Sequence, residues 1–430
     1  MIVVRMSQRG FSKGREGQMM AALKMRAVLK TMFFALILCA FSLSLMIQAG
    51  AAETRGVTET EIRIGVIPDL TGPASFGSRN HLWSIRKYLD EINGKGGIHG
   101  RKIRLYVEDG KYNPSLALNA FKKLILKEKV FAMMANMGSA ANKVQLPLIE
   151  EYKVPLISPA VTSEWMYNPP KRYIFATMLS QGYCARVLID YVVNELGDKE
   201  PRIGVLYIKT ELGHESLREV KDQAGMYGFK IATEIDYTPG SIDLSGQVAK
   251  LKEKDVGYVM LSGIIKGPLY ACKEAAKLNW KPQFLFPGVA SDEHVFALGK
   301  ETMFYGKLPI GASAYYPVSA NFPGKKTMLN WLKEDPKQGR IYTYNLHGLT
   351  YVRTLVEGLK RAGKDLTVEG LVRAMETIQD WDNWGQGPIT FGPNDRQGAD
   401  KVSVFRGVKG GADGVGRWEI VKTWTEPKKR

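Results

Sequence analysis

The chain has 430 residues, 45% hydrophobic and 24% charged, with a formal charge of +17. That length is more than one ordinary core organises, so two domains are expected, and 3 cysteines exclude a disulfide scaffold and a Cys-rich zinc site. The basic excess falls to +11 once residues 1–52 are set aside and is scattered, with no like-charge run longer than Lys428–Arg430, which points to a solvated surface rather than a nucleic-acid face.

Lys24, Arg26 and Lys30 precede an apolar run from Thr31 to Ile47, followed by the small residues of Gln48–Ala52. The run is short for a membrane span and suits a secretory core. Residues 1–52 are therefore expected to be a cleaved signal peptide, with the mature chain starting at Ala52 or Glu53 outside the cytoplasm. An uncleaved anchor is the alternative. Cys184 and Cys272 then remain. One bridge is conceivable, but two buried thiols are expected, since both lie on helices with no nearby partner in sequence.

From Ile62 onward, strand and helix patterns alternate. Ile62–Ile67 reads as a strand, and Leu82, Ile85, Leu89 and Ile92 mark an amphipathic helix. Ile103–Val107 is a second strand. Asn113 caps a helix with Pro114 in its first turn, running to about Glu128. Val130–Met137 reads as a buried parallel strand, a helix covers 140–151, and Pro155–Pro159 is the next strand. A break near 178 precedes a second series: helix 181–196, strand 203–207, helix 215–227, strand 230–235, helix 243–254, strand 256–261, helix 266–277 and strand 284–286. Later come helices at 341–362 and 366–377 and strands at 388–391, 402–405 and 418–421. Such alternation gives parallel sheets covered on both faces, in two doubly wound α/β lobes.

Enzyme motifs are missing: no phosphate-binding Gly-x-x-x-x-Gly-Lys loop, no Gly-x-Ser-x-Gly elbow and no His-Glu-x-x-His. Gly96–Gly100 follows a helix and precedes a strand, the wrong order for a dinucleotide fingerprint, so a helix C-cap and turn is expected. His81, His99, His214, His294 and His347 stand apart in sequence without metal-ligand spacing. Glu108 and Asp109 read as ordinary carboxylates at a strand end.

Ligands of doubly wound sheets sit beyond the carboxyl ends of strands. Three such ends carry small or hydroxyl residues or an aromatic loop: Gly138–Ser139, Ala160–Thr162, and the loop bearing Phe76. Free N–H groups and the dipole at a helix starting at Ser139 suit a carboxylate. Helix and turn capping is the plain alternative for Ser139 and Thr162.

Ile64–Pro73 (IGVIPDLTGP), Phe76–Gly77, Asp90–Gly100 (DEINGKGGIHG), Val154–Thr162 (VPLISPAVT) and Phe391–Gly398 (FGPNDRQG), in this order, resemble the periplasmic binding proteins of branched-chain amino-acid-type ABC transporters. The resemblance covers about 60–424. It implies two Rossmann-like lobes joined by three crossovers in a type I, Venus-flytrap arrangement: 56–178 with 311–387, and 179–310 with 388–430. It implies a binding protein, not an enzyme, in the periplasm, without a cofactor. A small carboxylate would be its ligand, a membrane permease of an ABC importer its partner, and a monomer its working form. A ligand sensor of the same fold is the alternative, and would normally carry a signalling or membrane-partner segment.

The family pattern would set Ser139 and Thr162 on the ligand carboxylate, Ala160 on it through backbone, and Phe76 on the apolar part, with Tyr342 a further candidate. On the second lobe this sequence departs from amino-acid binders. Gly288 stands where they carry the acid that holds the ammonium, with Asp292 and Glu293 out of register. Leu212 stands in place of a tyrosine, and Ile264 lies where an aromatic is frequent. An apolar carboxylate is expected over a zwitterion, because a buried ammonium without a partner costs several kcal/mol.

Overall fold

The computed structural model describes residues 54–410 and 415–428, with short helical stretches at 19–20, 24–26 and 29–34. Residues 1–54 form one unit and 55–430 another. The expected leader and its cleavage site fall largely outside the described residues. Among the described residues no helix is long and apolar enough to cross a membrane.

The first sheet has the order β2-β1-β3-β4-β5, all parallel, from β1 (Glu61–Val66), β2 (Lys102–Val107), β3 (Ala132–Met134), β4 (Leu156–Ile157) and β5 (Ile174–Phe175). The second has the order β12-β11-β10-β9-β8-β6-β7. Its strands are β6 (Ile203–Ile208), β7 (Thr233–Tyr237), β8 (Tyr258–Ser262), β9 (Gln283–Pro287), β10 (Ile310–Ser313), β11 (Val402–Lys409) and β12 (Gly416–Thr425). The pairs β10–β11 and β11–β12 are antiparallel.

Why the second sheet is covered on both faces follows from its alternation. Ile203, Val205, Met260 and Leu285 pack into one apolar cluster, while Leu206, Ile208, Val259, Leu261 and Phe286 pack into another. Successive side chains point to opposite faces, so near-continuous apolar strands need a layer on each side. This is the two-lobed α/β architecture that the strand–helix alternation implied.

Local signals act as expected at several points. Asn113 Oδ1 accepts from the N–H groups of Ser115 and Leu116 at 3.0 and 3.1 Å, and Pro114 opens the helix Pro114–Lys122. That helix widens into a π-type turn over Lys123–Lys127. Gly96–Gly100 forms the turn after the helix Ser75–Gly94, with glycines at positive φ. Asp109 accepts from Leu70 N–H and Thr71 Oγ1, and Glu108 pairs with Lys123 at 2.7 Å, so both carboxylates fasten loops.

Three expectations are corrected. Residues 388–391 make only isolated bridges, Ile389 with Trp381 and with Ala399, because this stretch folds back locally instead of joining a sheet. The helix over 140–151 is broken into Ser139–Lys143 and Leu146–Glu151, with Pro147 in the first turn of the second piece. The buried run 130–137 pairs as a regular strand only over 132–134.

The helix Thr343–Ala362 returns to the first sheet and lies directly on Ser75–Gly94. A Cβ at Gly348 would come within 2.2 Å of His81 O, so glycine permits this approach. Three connecting segments run side by side. Ala176 N–H donates to Arg396 O at 2.9 Å and Gly398 N–H to Ala176 O at 2.7 Å. Gly387 N–H donates to Ala314 O at 3.0 Å, and Gln386 Nε2 reaches Thr177 O at 3.2 Å. Arg396, 2% exposed, pins the FGPNDRQG turn through Glu376 at 2.7 Å and the face of Phe175.

Candidate ligand cleft

A narrow cavity of about 30 Å³ lies where the connecting segments meet the ends of β4, β9 and β10. Thr162 enters it from beyond β4, and Met178 and Leu179 from the first connection. Gly288, Val289 and Ser291 to Glu293 contribute from beyond β9, and Ser313 to Pro317 from β10 onward. Thr343, Tyr344 and His347 reach it from the first turns of the returning helix, while Cys184 and Phe405 complete the wall. Residues from both series of strands thus share one small enclosure.

The sequence-derived candidates divide accordingly. Thr162 and Gly288 lie in the cavity wall. Gly288 has φ +54, the left-handed region where side chains are strained, so an acid there would be disfavoured by backbone alone. Ser139 Oγ is hydrogen-bonded to Ser163 Oγ at 2.8 Å, beside Thr162. Its helix has only 5 residues, so its dipole is weaker than expected. Ala160 N–H donates to Asn136 O at 3.0 Å, tying the loop to β3. Phe76 and Tyr342 meet edge to face at 5.0 Å on the rim. Leu212 packs on the core of the second sheet, and Ile264, 52% exposed, lies in the loop after β8. Neither is part of the cavity wall.

The loop bearing Phe76 is preset by Asp69. Its buried carboxylate accepts from Gly72 N–H at 2.5 Å and Ala74 N–H at 2.6 Å. A Cβ at Gly72 would lie 2.6 Å from that carboxylate, which explains the glycine of IPDLTG.

The two acids that fall out of register with the family pattern nonetheless reach the cleft. Asp292 and Glu293 both line it. Both are already engaged. Asp292, 7% exposed, accepts from His294 N–H at 2.7 Å and from the Thr343 hydroxyl, and burial raises its pKa. Glu293 accepts from Ser319 N–H at 2.9 Å and Trp418 N–H at 3.0 Å, and burial raises its pKa too. The register drawn from Phe284–Pro287 missed them because residues 288–291 coil into a 3₁₀ turn, which carries positions 292 and 293 back to the wall.

Further wall residues were not among the candidates. Cys184 is buried, and its thiol is pushed up to about 12 by burial. Behind the wall, Tyr351 donates from its hydroxyl to Met178 Sδ at 2.7 Å. Tyr344, His347 and Tyr351 lie on one face of their helix, against His81 of Ser75–Gly94. Their spacing of three and four is the signal that would have found them. Burial lowers the pKa of His81 to about 3 and that of His347 well below 6.5, so both imidazoles are neutral.

A family model for periplasmic binding proteins matches residues 61–412. The chain is 22% identical over 373 residues to the Leu/Ile/Val-binding protein of Escherichia coli (strain K12), covering 86% of this chain and 94% of that one. Its fold matches a fatty acid ABC transporter substrate-binding protein from Thermomonospora curvata with a TM-score of 0.76 at 24% identity, covering 88% and 95% of the two chains. It also matches a branched-chain amino acid ABC transporter protein from Thermus thermophilus with bound valine, TM-score 0.76 at 19% identity, covering 86% and 97%.

A two-lobed α/β chain whose cavity draws its wall from both series of strands has the build of a ligand-binding protein. The chain belongs to the periplasmic binding protein family, whose members matched here are transport-related binding proteins rather than enzymes.

Proposed function

We propose that the protein is an extracytoplasmic solute-binding component of an ABC importer, and that it captures a small carboxylate with an apolar body. One lobe comprises 56–178 with 311–387, the other 179–310 with 388–430. They close by hinging at the connections near 178, 310 and 387. The leader is removed on secretion to the periplasm, and the monomer hands its ligand to a membrane permease.

The observation that carries the ligand class is the state of the two acids. Asp292 and Glu293 line the cavity, yet each already accepts hydrogen bonds from this chain. Burial works against the charged form of both acids, which makes them poor counter-ions for an ammonium, so a zwitterion would lose several kcal/mol there. The Thr162 hydroxyl offers a donor for a carboxylate, and Met178, Leu179, Val289, Tyr315 and Tyr344 offer apolar surface for the rest. The named relatives span both possibilities: one is a Leu/Ile/Val-binding protein and another a fatty acid transporter's binding protein.

Native mass spectrometry of freshly purified periplasmic protein tests this reading. A retained mass that fragments as a non-amino carboxylic acid is expected. A retained leucine, isoleucine or valine would refute the ligand class while leaving the transport role.

A further inference from the structure

His347 lies in the cavity wall with 4% of its surface exposed, and its Nδ1 is buried with no hydrogen-bond partner among the described residues. An imidazole kept only for packing would be replaceable by an aromatic ring or a leucine. Those residues leave no buried polar atom, whereas an unpartnered ring nitrogen costs about 1–3 kcal/mol. The residue is flanked by rings: Tyr315 at 4.1 Å between centroids, Tyr344 at 5.7 Å and His81 at 5.5 Å. Tyr315 and Tyr344 also line the cavity. Thr162 approaches from beyond β4, while His347 approaches from the returning helix, so the two polar groups belong to different elements of the wall.

We propose that His347 is a specificity-determining residue: its Nδ1 hydrogen-bonds a hydroxyl on the ligand's apolar body, remote from the carboxylate. The ligand class is thereby narrowed to hydroxylated aromatic acids, whose ring is held among Tyr315 and Tyr344. The proposal rests on the cleft reading above. Because burial keeps the imidazole neutral, it can accept from or donate to a hydroxyl, and either tautomer serves. A site built to hydrogen-bond a substrate hydroxyl discriminates far more strongly against the analogue lacking it than an apolar pocket does against an added group. The deciding quantity is therefore a ratio of affinities, not an affinity.

Isothermal titration of the ligand-stripped full-length mature protein with phenylacetate and 4-hydroxyphenylacetate, and with benzoate and 4-hydroxybenzoate, gives that ratio. The wild type should bind the hydroxylated acid of at least one pair about tenfold or more tightly than its partner. His347→Phe should bring that ratio to within about twofold while still binding the unsubstituted acid, and His347→Gln should retain part of the preference. Equal affinities within both pairs for the wild type, or an undiminished preference in His347→Phe, would overturn the assignment and leave the cleft reading standing. Binding of none of the four acids would overturn the assignment of a hydroxylated aromatic acid and leave the cleft reading to its own test with aliphatic acids and leucine. The wild-type ratios and His347→Gln keep the question decidable should His347→Phe not fold.

Discussion

Arg340 Nη2 lies 2.6 Å from His294 Nδ1, which joins the segment leading into Thr343–Ala362 to the helix that follows β9. The contact is embedded in rings. Phe76 stacks on His294 at 6.2 Å, Tyr342 meets His294 at 5.7 Å, and the Arg340 guanidinium lies 4.9 Å over Tyr342. Asp292, two residues before His294, adds an opposite charge whose influence reaches the imidazole. Under the proposed hinge closure, this cluster would latch the two lobes together beside the cavity.

The latch should be sensitive to acid. Burial and then the Arg340 charge lower the His294 pKa below 6.5, with Asp292 opposing. The closed form thus favours neutral His294. That preference is fully present above about 6.5 and is lost as pH falls through the lowered value, when imidazolium would face guanidinium. Ligand affinity should fall on going from pH 7.5 to pH 5, chiefly through faster dissociation. His294→Phe should flatten that dependence. Stopped-flow dissociation measured across this range checks it.

Glu215 should impose an opposite trend on stability. Burial raises its pKa to about 7 from 4.5, and it accepts from Glu164 N–H, beyond β4, at 3.3 Å. The folded state therefore keeps a proton that the unfolded state has lost. Its contribution is present at low pH and disappears as pH rises from about 4.5 to 7. Glu215→Gln keeps the acceptor without the charge and should be more stable than wild type at pH 8, by on the order of 2 kcal/mol. The two proteins should converge near pH 5. Urea denaturation at both pH values decides it.

Thr162 and Ser139 should not contribute equally to binding. Ser139 Oγ already pairs with Ser163 Oγ at 2.8 Å, whereas Thr162 faces the cavity. A hydrogen bond to a charged group is worth about 1.5–3 kcal/mol, so Thr162→Ala should weaken carboxylate binding roughly 10- to 100-fold. Ser139→Ala should cost less than about tenfold. Both variants should melt close to wild type. Titration calorimetry with the preferred acid gives the comparison, and equal losses would place Ser139 directly on the ligand.

Cys184 and Cys272 should be unreactive in the native protein. Both are buried, and burial pushes both thiols well above their ordinary pKa. A thiol reagent should label neither residue of the mature chain at pH 7.5 within minutes and both in denaturant. A saturating ligand should slow the labelling of Cys184 further, since Cys184 lines the cleft.

Much of the fold was legible because parallel strands announce themselves. Ile203–Tyr207 and Val256–Leu261 are apolar on both faces, and the structure buries both faces. The return of Thr343–Ala362 to the first lobe could not be read from local pattern, since it depends on Gly348 meeting His81 across 266 residues of intervening sequence. At the site, Thr162 was legible as a hydroxyl beyond a strand end. Asp292 was not, because a 3₁₀ turn shifts the register after β9 by an amount that composition does not encode. His347 was hidden differently. Its importance lies in a nitrogen left unpartnered by its neighbours, a property of packing rather than of sequence.

The central claim is that the closed cleft takes an apolar carboxylate in preference to a zwitterion. Differential scanning calorimetry of the ligand-stripped protein, with leucine, valine, phenylacetate and octanoate in turn, tests it most directly. A ligand at 100 times its dissociation constant adds roughly 2.7 kcal/mol to stability, enough for a clear rise in melting temperature. At least one of the two acids should raise the melting temperature, with little or no response to leucine or valine. A strong response to leucine or valine and none to either acid would contradict the account.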